Sequence, residues 1–178
     1  VCSSDLEVLQ RSATSRGSMY YHFENFNALV EEAVLHRYSA GVHASIQAIH
    51  AAIHLSRTRE EMRELIHGVT RATQDPALAP RRLDRAFTLG LTRNNEVFRE
   101  KLATVQGELT DAMTELFEQA QNKGLMSTNF HPRAAAVFVQ AYTLGRVLDD
   151  VTDHHVVEAD WDQLVNLFVD HVLIIDES

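Results

Sequence analysis

Ser12-Ala13-Thr14-Ser15-Arg16-Gly17-Ser18-Met19-Tyr20-Tyr21-His22-Phe23 is the stretch on which the reading of this chain turns. It joins a turn of small residues to a short helix, Arg16 to Phe23. Ser15 suits the N-cap because its hydroxyl can accept an early backbone N–H. Met19 and Phe23 stand four apart and can anchor one face in a small core. The other face offers Arg16, Ser18, Tyr20, Tyr21 and His22. A recognition helix has this design: its N-terminal residues approach base edges while hydroxyls and cations hold phosphates. Arg16 can donate two hydrogen bonds to guanine, and Tyr21 can pack on a thymine methyl. The competing reading is a short surface helix with a tyrosine pair.

Working outward, residues 7–14 read as the end of a helix and a turn. Asn25 caps a long helix in which Ala28, Leu29, Ala33, Val34, Tyr38 and Val42 recur at helical spacing, as far as about His54. Ser56-Arg57-Thr58 opens the next helix, with Met62, Leu65, Ile66 and Val69 on one stripe. Asp75 to Pro80 reads as a loop and Arg81 to Leu91 as a short helix. Asn94 or Asn95 starts a longer one, ended by Gly124 as a left-handed cap. Pro132 opens a helix predicted to run to Val151. Asp149 to Asp160 reads as an acidic loop, and Trp161 to Ile175 as the last helix. No period of two appears, so the expected fold is all-α.

With 178 residues the chain can hold one good-sized domain, or a small and a medium one. No run of apolar residues is long enough for a membrane span, and no secretory signal is visible. The lone cysteine, Cys2, excludes an internal disulfide framework. Cytoplasmic localisation without membrane association is therefore the expectation. A net charge of −9 argues against coating of nucleic acid by the whole molecule but leaves room for a small DNA-reading head. The strong excess of Arg over Lys reads as genomic background. Residues 1–6, Val-Cys-Ser-Ser-Asp-Leu, match in codons the end of a sequencing adapter and are read as an artefact fused to the gene.

The run from Ser12, followed by Asn25, Ala28-Leu29-Val30 and Glu32-Ala33-Val34, resembles the TetR family of transcriptional regulators. In that family the turn and recognition helix commonly read Ala-Gly-Val-Ser-(Arg/Lys)-Gly-(Ser/Thr)-(Leu/Ile)-Tyr-x-His-Phe. Ser15, Arg16, Gly17, Ser18, Tyr20, His22 and Phe23 match as written. The resemblance is specific over about residues 12–38 and architectural beyond. Ala13 and Thr14 stand where the family usually has Gly and Val. Phe26 stands where it usually has a Lys on backbone phosphate. The family's first helix and most of its second have no counterpart here, so the resemblance implies an incomplete head and weak or absent operator binding by this chain. It implies a partial helix-turn-helix domain over 7–38, with Ser15, Arg16, Gly17, Ser18, Tyr20, Tyr21 and His22 toward a double-stranded DNA operator. It further implies a ligand-binding and dimerisation domain over 39–178. The function implied is a ligand-responsive regulator, a repressor, working as a homodimer with a small-molecule effector.

Candidate effector-pocket residues are Phe87, Thr88, Leu91, Phe98, Met113, Phe117, Phe138 and Tyr142, each of which also reads as core. Thr88 and Tyr142 stand out because a hydroxyl facing a core needs a partner. Arg85 and Asn94 are candidates to orient an anionic or polar ligand. For the dimer, Phe138, Ala141, Gly145 and Leu148 on one helix and Leu164, Leu167, Phe168 and His171 on another make broad apolar faces suited to a four-helix interface. His36, His43, His50 and His54 lie on nearly one helix face, with His67 on the next helix. His50 and His54 have the i, i+4 geometry of a zinc pair. They are read as polar-face residues and satisfied imidazoles, and neither metal nor cofactor is expected. No phosphate loop, nucleophile elbow or reactive cysteine is present, and the carboxylates Asp149, Asp150 and Asp153 read as hydrated, so the chain is not read as an enzyme. The alternatives are a metal-binding sensor or a ligand-free helical adaptor.

Overall fold

The computed structural model describes residues 5–174; of residues 5, 6 and 52–54 only the backbone is described. Cys2, the side chain of His54 and Ile175 lie outside the described residues. The elements are α1 (Asp5–Arg11), α2 (Arg16–His22), α3 (Phe26–Leu55), α4 (Arg59–Gln74), α5 (Ala79–Gly90), α6 (Glu96–Asn122), α7 (Pro132–Gly145), α8 (Val147–Asp150) and α9 (Glu158–Phe168). Short 3-10 turns precede and follow α5, and a wider π turn, Val169–Leu173, follows α9. The described residues contain no strand.

Local chemistry accounts for most boundaries. Ser15 Oγ accepts from Ser18 N at 3.1 Å and caps α2, and Asn25 Oδ1 accepts from Ala28 N at 2.9 Å at the head of α3. Thr58 and Glu61 form a capping box on α4, satisfying two otherwise orphaned N–H groups. Asn95 caps α6 through Phe98 N at 2.9 Å. Gly124, at φ +69°, ends α6. Its N–H donates to Gln121 O, and that of Leu125 to Ala120 O, which is the paired bonding of a left-handed helix stop.

The turn between α1 and α2 uses the same stop without glycine. Ala13 N donates to Gln10 O at 3.3 Å and Thr14 N to Leu9 O at 3.1 Å, with Ala13 at φ +52°. A Cβ in this region meets the following carbonyl and costs about 1–2 kcal/mol. Ala13→Gly is therefore expected to slow amide exchange in the α1–α2 turn by roughly two- to fivefold, equivalent to about 0.5–1 kcal/mol once glycine's entropy is counted. Unchanged or faster exchange refutes the strain argument.

Two core clusters flank α6. Phe98 and Leu102 of its first half pack with Leu35 of α3. Phe117 and Ala120 of its second half pack with Met62 of α4, Ala135 and Ala136 of α7, and Val165 of α9. Val169, Leu173 and Ile174 of the final turn join the second cluster and are nearly fully buried.

Three boundaries differ from expectation. The 75–80 segment is a 3-10 turn running into α5, because Asp75 Oδ1 caps it through Ala77 N at 2.8 Å. The helix from Pro132 breaks at Arg146, so Asp149 and Asp150 belong to α8 rather than to a loop. The last helix starts three residues before Trp161, at Glu158, and widens into the π turn after Phe168.

Candidate functional site

The polar face of α2 is open. Arg16, Ser18, Tyr20, Tyr21 and His22 are exposed, Tyr21 by 85%, while Met19 is 3% exposed and Phe23 half-buried. Ser15 and Gly17 are exposed beside them. The rings of Tyr21 and His22 meet edge to face at 5.0 Å. Only the short link over residues 23–25 separates this helix from α3.

Further along, α3 walls a partly open cavity of about 310 Å³. It contributes Val34, Arg37, Tyr38, Val42 and Ser45. From α5 come Arg81, Arg82, Asp84, Arg85 and Thr88; Thr73 of α4, Leu78 just before α5, Leu109 of α6 and Thr143 and Leu144 of α7 also line it. The volume is at the lower end of small-ligand pockets, roughly 300–1,000 Å³.

Four arginines around one space make it unusual in a chain of net charge −9. Arg82 is committed. Its Nε and Nη2 donate to the two carboxylate oxygens of Asp150 at 2.7 Å each, and Nη1 reaches Thr73 O and Asp75 O. Both side chains of this pair are 6% exposed. The bidentate hydrogen bond holds the Asp150 carboxyl below its ordinary range and the Arg82 guanidinium above its own. Arg37 reaches Asp84 at 3.3 Å, with both side chains more than half exposed. Arg85 lies over the Tyr38 ring, 5.6 Å from its centroid, and donates to Gln106 Oε1 at 3.3 Å. Gln106 Oε1 also accepts from the Tyr38 hydroxyl, and Gln106 Nε2 donates to Gln140 Oε1 on α7. Arg85 Nε is buried with no hydrogen-bond partner among the described residues.

Of the expected pocket residues, only Thr88 lines this cavity. Phe87 is 58% exposed, because one residue along a helix turns the side chain by about 100°. Phe98 and Phe117 are core, Leu91 packs beside Phe98, and Met113 joins the second cluster. Phe138 and Tyr142 form an aromatic group with Phe168 on the outer side of α7 and α9. Tyr142 finds its partner in Thr70 Oγ1 at 3.3 Å, and burial pushes its hydroxyl pKa up. The Thr88 hydroxyl donates to Asp84 O within its own helix. Asn94 is exposed in the 3-10 turn and Arg85 lines the cavity. Arg37, Tyr38 and Arg81 were missed. The i, i+4 spacing of Arg81 and Arg85 was the available signal, but pairing with α3 is not written in α5.

Of the expected dimer residues, Leu148 lies on α8 and not on the helix of Phe138, because the chain breaks at Arg146. Leu148 is 75% exposed, Leu164 61%, Phe138 49% and Leu167 48%. Ala141 and His171 are exposed, and Gly145 and Phe168 half-buried. The rings of Phe138 on α7 and Phe168 on α9 meet at a tilt, 4.8 Å between centroids.

The histidines whose side chains are described do not converge. His36, His43 and His50 are exposed on α3, and His67 pairs with Asp170 at 2.9 Å. The described residues contain no group of three or more potential metal ligands and no helix long and apolar enough to cross a membrane. Asp149, expected to be hydrated, instead accepts from Val156 N at 2.9 Å and closes the 151–157 loop. No protein-family model matches the chain, and no match to a curated protein or to a solved structure was found.

Proposed function

We propose that the chain is a ligand-responsive transcriptional regulator of the TetR type, a repressor that works as a homodimer on double-stranded DNA. One observation carries this reading: α3 runs directly on from the exposed α2 and, roughly 12–28 Å further along its axis, walls a cavity. A ligand bound between α3 and α5 acts on the helix that aims α2. A dimeric reader must hold its two recognition helices roughly 34–36 Å apart to meet successive major grooves. A ligand that prefers another setting of α3 lowers DNA affinity by its differential binding to the two settings. The exposed apolar side of α7 and α9 supports the homodimer, since contiguous apolar surface of that kind marks an association site.

The test is selection from a random duplex library at low salt, where phosphate contacts are strongest. With the incomplete head that the resemblance implies, at most weak enrichment is expected, toward a pseudo-palindrome with half-sites about 10 base pairs apart. Arg16→Ala should then weaken binding by roughly tenfold to a hundredfold, the value of a bidentate base contact. Binding indifferent to Arg16→Ala and Tyr21→Ala overturns the reading.

A further inference from the structure

We propose that the cavity is an anion site that takes a small organic carboxylate with an apolar body, held by Arg85 with Arg81 beside it. The proposal rests on the regulator reading only for its consequence at DNA; the site itself is argued from the cavity.

The cavity's charges do not cancel. Arg82 is neutralised by Asp150, and Arg37 is met by Asp84, the one carboxylate among the described residues that lines the space. Arg81 and Arg85 have no carboxylate partner among the described residues. Arg81 is exposed at the mouth and Arg85 half-buried inside. For Arg85 the accounting is specific. Its one hydrogen bond is the long contact to a Gln106 oxygen that Tyr38 already occupies. Its Nε, though buried, donates to nothing. A desolvated guanidinium N–H without an acceptor is costly, and such groups in folded proteins call for a functional explanation. Nε is closed to the cavity while Arg85 lies against the Tyr38 ring; once the side chain shifts from that ring, a carboxylate accepting from Nε and an Nη together supplies the missing acceptor in the planar geometry that arginine favours.

The rest of the wall selects for what carries the carboxylate. Val34, Val42, Leu78, Leu109 and Leu144 are apolar, so a bare inorganic anion leaves most of the surface unsatisfied. Capturing an anion also competes with the contacts of Arg85 to Tyr38 on α3 and Gln106 on α6. Ligand binding is thereby linked to the helix adjoining α2.

Titration calorimetry on the 178-residue chain without DNA tests this, using benzoate, phenylacetate and hexanoate, their primary amides, and inorganic phosphate. At least one carboxylate is expected to bind, its amide at least tenfold more weakly, and phosphate more weakly still. Arg85→Met should weaken carboxylate binding by roughly ten- to a hundredfold, the value of charge-assisted hydrogen bonds. Arg85→Lys should retain part of the affinity. The melting temperature of unliganded Arg85→Met adds a readout that separates binding from structure. A site arginine leaves it unchanged or higher, because an unpaired buried charge has been removed; a structural arginine lowers it. Equal binding of amides and carboxylates, undiminished binding to Arg85→Met, or no binding of any carboxylate overturns the anion site. Arginine-dependent binding that leaves DNA affinity untouched sustains the site and sinks the effector role instead.

Discussion

Arg82→Ala is expected to lower stability by about 3–5 kcal/mol, the cost of stripping one partner from a buried ion pair. In a chain of this size that corresponds to a fall in melting temperature of roughly 6–20 °C. The side chain ties three elements together: Asp150 of α8 through two hydrogen bonds, and the carbonyls of Thr73 and Asp75 at the end of α4. Removing it leaves a carboxylate at 6% exposure without a counter-charge. The same pair sets an acid limit. Because the hydrogen bond to Arg82 depresses the Asp150 pKa on folding, its stabilisation is fully present above the unfolded carboxylate pKa of about 3.9. It is lost as pH falls through the lower folded value. Arg82 stays protonated throughout and adds no pH dependence in this range. Melts from pH 7 to pH 2 should show wild type and Asp150→Asn well separated at neutrality and converging in acid. A constant gap contradicts the assignment. Arg82→Met combined with Asp150→Leu should recover most of the loss, since an apolar replacement of the whole pair strands no charge.

Leu167→Asp is expected to turn a dimer into a monomer in sedimentation while leaving helix content unchanged. Within one chain Leu167 is 48% exposed and belongs to neither core cluster, so a carboxylate there costs the monomer little. Across a two-fold interface the change counts twice. Because about half of the side chain is still open to bury, each copy loses about 0.7–1.5 kcal/mol of leucine burial, so the dissociation constant should rise by roughly one to two orders of magnitude. Gln47→Asp, at an exposed position on α3 away from this face, serves as the charge control. A wild-type chain that sediments as a monomer at micromolar concentration removes the dimer proposal outright.

Where the controlling interactions are short in sequence, the residues could be read directly. Ser15, Asn25, Thr58 with Glu61, and Gly124 mark helix ends through hydrogen bonds that span three to five positions. The candidate site was far less legible. Seven of the eight expected pocket residues face a core cluster, the outer α7–α9 surface or solvent rather than the cavity. An aromatic at helical spacing meets either fate, and the sequence carries no term that separates them. Arg85 was recognised by its type, but its stacking on Tyr38 joins positions distant in the chain.

What the sequence alone determined is the helical class, most of the helix ends and the polar short helix read as Arg16 to Phe23, which ends one residue earlier, at His22. Each depends on contacts within about one turn. The tertiary structure alone decided that Asp150 is a buried counter-ion rather than a hydrated loop acid, and that four arginines surround one space. It also decided that α3 both adjoins α2 and walls that space. Such pairings depend on how whole helices cross, which is set by the summed packing of their faces and by no local pattern within either one.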